Sequence, residues 1–528
     1  LLFLYNGKIV PLELAGVTSN RYTRGHLFLR RLKKISVSSF EDYKRNLLQN
    51  GVILSFADRL TKISQELREH SAILGATLKE DPELLRLMAN EVEYPEVLTG
   101  RFSEDFLKLP QEILINAMRK HQKYFCALDA EGRILPVFFA VLNTKAHGSD
   151  LIRDGHQRVL QARLRDAEFF WHEDLKTSLA DRRGQLSRLT YDDRLGSYSE
   201  KIERMISIAD KMLDQLKRSD LKMKLEKLIA VSKVDLLTHM VGEFPEMQGV
   251  MAGLYARNEN YPEEEWRALY EQYAPVSADD PVPANLLGAL LSLIDRVEVL
   301  ATGYTLNMIP TGSRDPYALR RIATGAVRIL LEHGLKLRME PLFEHALSLY
   351  SIKTKGTPSD LLNGLMELIE ARFRFLMEQK DIAVDYLNAV INVEKKSLVA
   401  AHGKLMALWS KKGSDDLKTL ARGFKRINNI IFDQPKYDFD EELLQEDGEV
   451  RLARAFSDLE FRVSQNISEE HYYDALDIMV TLGPEIDNFF DEVLVMADDE
   501  KLRNNRIALL QKMSDLYRRI ADFSALQI

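Results

Sequence analysis

From about residue 151 to the C-terminus, almost every periodic segment repeats its apolar residues at the spacing of a helix. That pattern predicts a mainly α, multidomain chain. Near the end, Ile486, Phe489, Phe490, Val493 and Leu494 fall at i, i+3, i+4, i+7 and i+8, one apolar stripe. Leu502, Leu509, Leu510, Met513, Leu516, Tyr517 and Ile520 continue it. Pro and Gly punctuate the helical region near 242–262, 274–285 and 308–316. The acidic stretch Asp433–Val450, with Pro435, reads as a connector or exposed loop.

Residues 1–150 differ and read as α+β. Leu1–Leu4 and Lys8–Leu14 read as strands of a hairpin turning at Asn6-Gly7, and a chain opening directly in a strand is expected to begin mid-protein. Phe40–Gln49 and Phe56–Thr77 read as helices, and Pro110 opens another. Phe125–Leu128 and Ile134–Leu142 read as a second hairpin around Asp129–Gly132.

The 528 residues are enough for about three or four domains at ~100–200 residues each. The formal net charge is -8, so any nucleic-acid binding has to rest on local basic clusters. The single cysteine, Cys126, excludes an internal disulfide framework and a Cys-based zinc site, and suits a reducing compartment. No apolar run approaches the ~18 residues that span a bilayer.

Motifs for nucleotide chemistry are missing: the Walker phosphate loop, GxGxxG, HExxH and CxxC are all absent. Lys512-Met513-Ser514 resembles part of the class I synthetase KMSKS loop, but it lies inside an amphipathic pattern. None of the eleven histidines precedes an Asp, whereas a His-Asp pair is what HD-type phosphohydrolases need to chelate metal. Asp235, His239 and Glu243, at i, i+4 and i+8, read as one polar stripe on a helix, and no metal is expected there. The basic clusters are Arg158, Arg163 and Arg165; Arg320-Arg321 after a Pro-Thr-Gly-Ser turn; and Arg422, Lys425 and Arg426 followed by Asn428-Asn429. A turn entering a helix N-terminus suits a phosphate. Cations grip phosphates, while amides and arginines read exposed bases. Arg503 and Arg506 are candidates for the same surface. The plainer reading of each cluster is a solvated face whose cations pair with nearby acids, Asp415, Asp416 and Asp433 in the last case.

Several strings carry a family resemblance. They are HQKYF at 121–125, RVLQARLRDAEFFWHED at 158–174, LGSYSEKIER at 195–204, KVDLLTHMVGEFPEMQGVMAGLYA at 233–256, YAPVSADDPVP at 273–283, PTGSRDPYALRR at 310–321, RINNI at 426–430 and FFDEVLVMADDEKLRNNRIALL at 489–510. In that order the chain resembles the beta subunit of bacterial glycyl-tRNA synthetase, shortened at its N-terminus. The resemblance implies an editing-type α+β module at 1–150, an HD-like helical domain at 151–340 carrying the remnants Asp235, His239, Glu243 and Asp295, a helical body at 341–400, and a helical anticodon-binding domain at 401–528. It implies a cytoplasmic α2β2 ligase in which this chain binds tRNA(Gly), has no catalytic residues of its own and binds neither DNA nor membrane. The alpha subunit then uses ATP and Mg2+ to attach glycine. Departures from the family pattern are Gly155-His156-Gln157 for Gly-Asn-Glu, Asn260-Tyr261 for Gly-Glu, and Ile294-Asp295-Arg296 for Ala-Asp-Lys. The rival readings are an HD-type metal phosphohydrolase and a tRNA-binding scaffold without ligase activity.

Overall fold

The computed structural model describes residues 1–30, 34–145, 150–312, 314–352 and 354–527. The chain divides into two compact units, Leu1–Ser178 with Leu236–Gln248, and Leu179–Asp235 with Gly249–Ile528.

The first unit is built on an antiparallel four-stranded sheet. Its strand order is Thr77–Leu78, Phe125–Leu128, Ile134–Leu142, Glu96–Arg101. Ile63 and Leu67 from the helix Phe56–Ile73, and Leu84 and Met88 from the helix Pro82–Glu91, pack on Val137, Phe139 and Val141. On the other face Phe138 stacks on Tyr124, with ring centres 4.4 Å apart. The expected hairpin at 125–142 is therefore the middle of the sheet, and the helix after Pro110 runs Gln111–Gln122.

Two expected elements end early. The Asn6-Gly7 hairpin pairs only Leu4–Tyr5 with Lys8–Ile9, and both turn residues have positive φ as a type I′ turn requires. The expected strand Lys8–Leu14 breaks at Pro11, which has no N–H to give a ladder, and Glu13–Leu14 pairs instead with Val17–Thr18. The helix expected to reach Thr77 stops at Ile73, because Gly75 takes φ 64° and Thr77 enters the sheet.

The helix Asp150–Asp174 belongs to this unit, beyond the expected boundary at 150. Gln157 Oε1 accepts the Arg101 N–H at 2.8 Å, and Arg153 donates to the Thr99 carbonyl at 3.2 Å. His156 Nδ1 lies 2.6 Å from the Tyr124 hydroxyl. His156 and Gln157, two of the family departures, thus pack locally against the sheet and the residues beside it.

The second unit is helical apart from the short ribbon Thr190–Asp192 with Gly196–Ser197. At its centre the helix Leu286–Thr305 is buried at 18 of its 20 residues, as expected of a helix apolar on nearly every side. In the acidic stretch 433–450 the chain is irregular as far as a short turn at Glu441–Leu443, after which the helix Asp447–Ser468 begins. Ile486, Phe489 and Val493 are buried, but Leu494 is 71% exposed. The helix Gly483–Glu492 ends before Leu494, so helical spacing no longer sets its direction. Among the described residues no helix is long and apolar enough to cross a membrane.

Candidate nucleic-acid interface

The helix Asp415–Ile431 starts at Ser414, whose hydroxyl accepts the Leu417 N–H at 3.2 Å, an ordinary N-cap. Leu417, Leu420, Ala421, Phe424 and Ile427 form its buried face. Gly423 lies against Ile486 so closely that a Cβ there would sit 2.7 Å from the Ile486 methyl carbon. Close packing on this side leaves Arg422, Lys425, Arg426 and Asn429 exposed on the other. Among the described residues the Arg422 side chain hydrogen-bonds only the Thr419 hydroxyl, at 3.3 Å, and Lys425 Nζ donates to the Leu526 carbonyl at 3.0 Å. The Arg426 guanidinium stacks over the Phe490 ring at 4.4 Å, and its nearest acids are Asp491 at 3.9 Å and Asp487 at 4.0 Å. Among the described residues none of the acids expected as partners pairs with these three cations; Asp415 pairs with Lys418 at 3.0 Å.

Three of the other C-terminal candidates lie elsewhere than the sequence predicts. Asn428 is half-buried and accepts the Ser514 hydroxyl at 3.3 Å, so it is not on the ridge. Arg503 is half-buried and donates to the Ala497 carbonyl at 3.0 Å. Arg506 is buried. Its guanidinium is fixed by Glu449 at 2.7 Å, Glu446 at 2.6 Å and the Leu494 carbonyl at 2.9 Å. A buried guanidinium requires such partners. Arg506 therefore holds the C-terminal helices together and presents no charge to solvent. Burial raises the Glu449 carboxyl, but hydrogen bonds from Arg506 and from the backbone outweigh it and hold Glu449 below the usual carboxylate range. Lys512-Met513-Ser514 lies within the helix Glu500–Tyr517, with Met513 and Ser514 buried, so it forms no loop.

In the first unit Arg158 and Arg165 are exposed, seven residues apart and so on one face of their helix; neither has an ion pair among the described residues. Arg163 lies 3.7 Å from Asp166. In the second unit Arg321 is exposed and Arg320 half-buried at the start of the helix Leu319–Glu332. The phosphate expected at that N-terminus has a competitor: the Asp315 carboxylate accepts the N–H groups of Leu319 and Arg320, each at 2.9 Å. Ser313 of the preceding turn lies outside the described residues.

Asp235, His239 and Glu243 do not share a helix. Asp235 sits in a 3₁₀ turn, Val234–Leu237, and a new helix, His239–Glu243, starts after the N-cap Thr238. Asp235 is buried and accepts the Gly249 N–H at 2.5 Å. His239 is exposed over Phe170, and Glu243 lies 3.7 Å from His121. Asp295 belongs to a cluster the sequence reading missed. Its carboxylate takes Lys201 Nζ at 3.1 Å and Lys233 Nζ at 3.0 Å. Lys201 also reaches Glu298, which Arg204 contacts at 2.9 Å. Burial alone would raise the Asp295 carboxyl, but the two ammonium groups hold it well below the carboxylate range. Where a phosphohydrolase would need metal ligands, this carboxylate is already engaged by cations of the chain. Among the described residues no three His, Cys, Asp or Glu side chains gather as a metal site. One signal in the sequence could have revealed the cluster: three charges, Asp295, Arg296 and Glu298, inside an otherwise apolar helix must find partners.

The C-terminal helices form an anticodon-binding module: residues 417–521 match the family model described as the DALR anticodon binding domain. Residues 1–392 match the model of the glycyl-tRNA synthetase beta subunit. The chain is 34% identical to the glycine–tRNA ligase beta subunit of Natranaerobius thermophilus, over 100% of this chain and 76% of that one. It is 36% identical to that of Geotalea daltonii (99% and 76%) and 34% to that of Clostridioides difficile (99% and 75%). The chain belongs to the glycyl-tRNA synthetase beta subunit family, and so is a subunit of an aminoacyl-tRNA synthetase.

Proposed function

We propose that this chain supplies the tRNA-binding part of a glycine–tRNA ligase. The exposed face of Arg422, Lys425, Arg426 and Asn429 grips the anticodon arm of tRNA(Gly), and Arg158, Arg165 and Arg321 meet the RNA elsewhere. A partner alpha subunit binds ATP, Mg2+ and glycine, and attaches the amino acid with hydrolysis of ATP to AMP. The assembly is a cytoplasmic α2β2 heterotetramer. The α+β region is an editing-type module, and the helical region around Asp235 and Asp295 is an HD-like domain without metal.

The observation that carries this reading is the cationic, amide-tipped face on Asp415–Ile431, exposed within the anticodon-binding module of a chain whose net charge is -8. Its cations have weak surface partners, worth about 0–1 kcal/mol each, so they are available to phosphate. The test is tRNA(Gly) binding by a variant carrying Arg422→Ala and Arg426→Ala. Affinity is expected to fall by roughly 1–3 kcal/mol per base-reading contact, with a shallower salt dependence and an unchanged melting temperature. Unaltered affinity and salt slope would defeat it.

A further inference from the structure

A cavity of about 320 Å³ opens in the second unit, between the segment 272–276, the helix Leu286–Thr305 and the start of the helix Leu319–Glu332. That volume lies at the lower end of the roughly 300–1,000 Å³ found for small-molecule sites. Its lining is graded. Gln272, Asp295 and Arg296 are buried, whereas Tyr317 and Arg321 are exposed at the mouth. Tyr273, Val276, Val299 and Ile322 supply aromatic and aliphatic walls.

The charge in this cavity is unbalanced. The Asp295 carboxylate is already met by two ammonium groups, at 3.0 and 3.1 Å. The Arg296 guanidinium donates to the carbonyls of Tyr273 at 2.9 Å, Pro275 at 2.8 Å and Ile322 at 3.4 Å, and to the Ser292 hydroxyl at 3.2 Å. All four acceptors are formally neutral, so Arg296 keeps its positive charge inside the wall. Burial lowers the Arg296 pKa to about 10, against the nearby Asp295 charge and helped by repulsion from Arg321 and Arg328. The Arg321 side chain has no hydrogen bond or ion pair among the described residues. Among the described residues no carboxylate lines the mouth, and guanidinium groups are the protein's fork-shaped partners for phosphate. The walls offer aromatic faces and aliphatic surface, the environment in which proteins hold an unstacked base.

We propose that this cavity binds one nucleoside monophosphate unit, with the base against Tyr273, Tyr317 and the valines and the phosphate on Arg321. The unit is either a free nucleotide or a nucleotide unstacked from an RNA chain. The RNA form rests on the function proposed above; the free form does not.

The test uses the full chain, the four nucleoside 5′-monophosphates, inorganic phosphate and tRNA(Gly), in equilibrium dialysis and competition. The variants are Arg321→Ala, which removes the phosphate partner, and Val276→Trp, which fills the mouth. Both positions are exposed, and a circular-dichroism melt checks each fold. At least one nucleotide is expected to bind more tightly than phosphate, and both variants to weaken it tenfold or more. Displacement of the nucleotide by tRNA identifies RNA as the source, and no displacement identifies a free nucleotide. If no free nucleotide binds but both variants weaken tRNA binding tenfold, the pocket takes its nucleotide only from RNA. The proposal is overturned if nucleotide binding ignores both variants, or if no nucleotide binds and tRNA affinity is unchanged in both. A wild-type chain that binds nucleotides but not tRNA overturns the tRNA-binding function and leaves this inference standing.

Discussion

Replacing Asp295 by Ala would take a carboxylate from two buried ammonium groups and strand that of Lys233. Lys233, 1% exposed, would keep the Gln272 side-chain amide oxygen at 3.2 Å and the Tyr273 hydroxyl at 2.8 Å, neither of them charged, and the field of the nearby Asp235. Lys201 would keep Glu298. Breaking a buried pair by removing one partner typically costs about 3–5 kcal/mol, most of it the penalty of the charge left behind. At about 1.4 °C per kcal/mol for a unit of roughly 340 residues, the melting transition of the second unit should fall by roughly 4–7 °C. Adding Lys233→Met removes the stranded ammonium, so the double variant should recover a large part of the loss. Burial already pushes Lys233 below its ordinary value. A basic group whose folded pKa is lowered binds more protons unfolded, so folding gains stability as pH rises. The single variant should therefore be less impaired at pH 9 than at pH 7. Differential scanning calorimetry, with hydrogen exchange on the peptide covering 286–305, follows both effects. A single variant that melts with the wild type, or a double variant no better than the single, would refute the claim that this ion cluster holds the helix in place.

Acid should weaken the second unit in a defined window. Asp295 and Glu449 are both held below the carboxylate range, so their stabilisation is complete above the unfolded values near 4 and is lost as pH falls through the folded ones. The melting temperature should begin to drop below about pH 5 and keep falling well below about pH 3, because the Asp295 carboxyl is held far under the carboxylate range, and Glu449→Gln should flatten part of that drop. The purified chain alone should show no glycine-dependent ATP–pyrophosphate exchange, since its sequence holds no phosphate-cradling loop; clear activity above a mock purification would contradict the division of labour.

The sequence was most legible where local chemistry and burial agree. The hairpin at 125–142, the helix Phe40–Gln49 and the face Arg422–Arg426 all follow from spacing and capping alone. It was least legible where a long-range partner decides. Arg503 and Arg506 look like a basic pair, yet Arg506 is pulled inward by Glu446 and Glu449, some sixty residues earlier. Asp235, His239 and Glu243 fit a helical wheel, but the Thr238 hydroxyl caps a new helix between the first two. The lysines that engage Asp295 lie 94 and 62 residues before it in the numbering, and periodicity carries no information across such a gap.

The chain leaves the first unit at Ser178, returns to it at Leu236 and leaves again at Gln248. The returning segment brings the N–H groups of His239 and Met240 to the Asp174 carboxylate, at 2.9 and 3.0 Å. A fragment cut after Ser178 loses both donors from a carboxylate that is 2% exposed. No single expression boundary therefore yields the first unit whole. The two units also cannot be shuffled between genes as separate contiguous cassettes: any recombination that moves one must carry part of the other or leave a gap in its core.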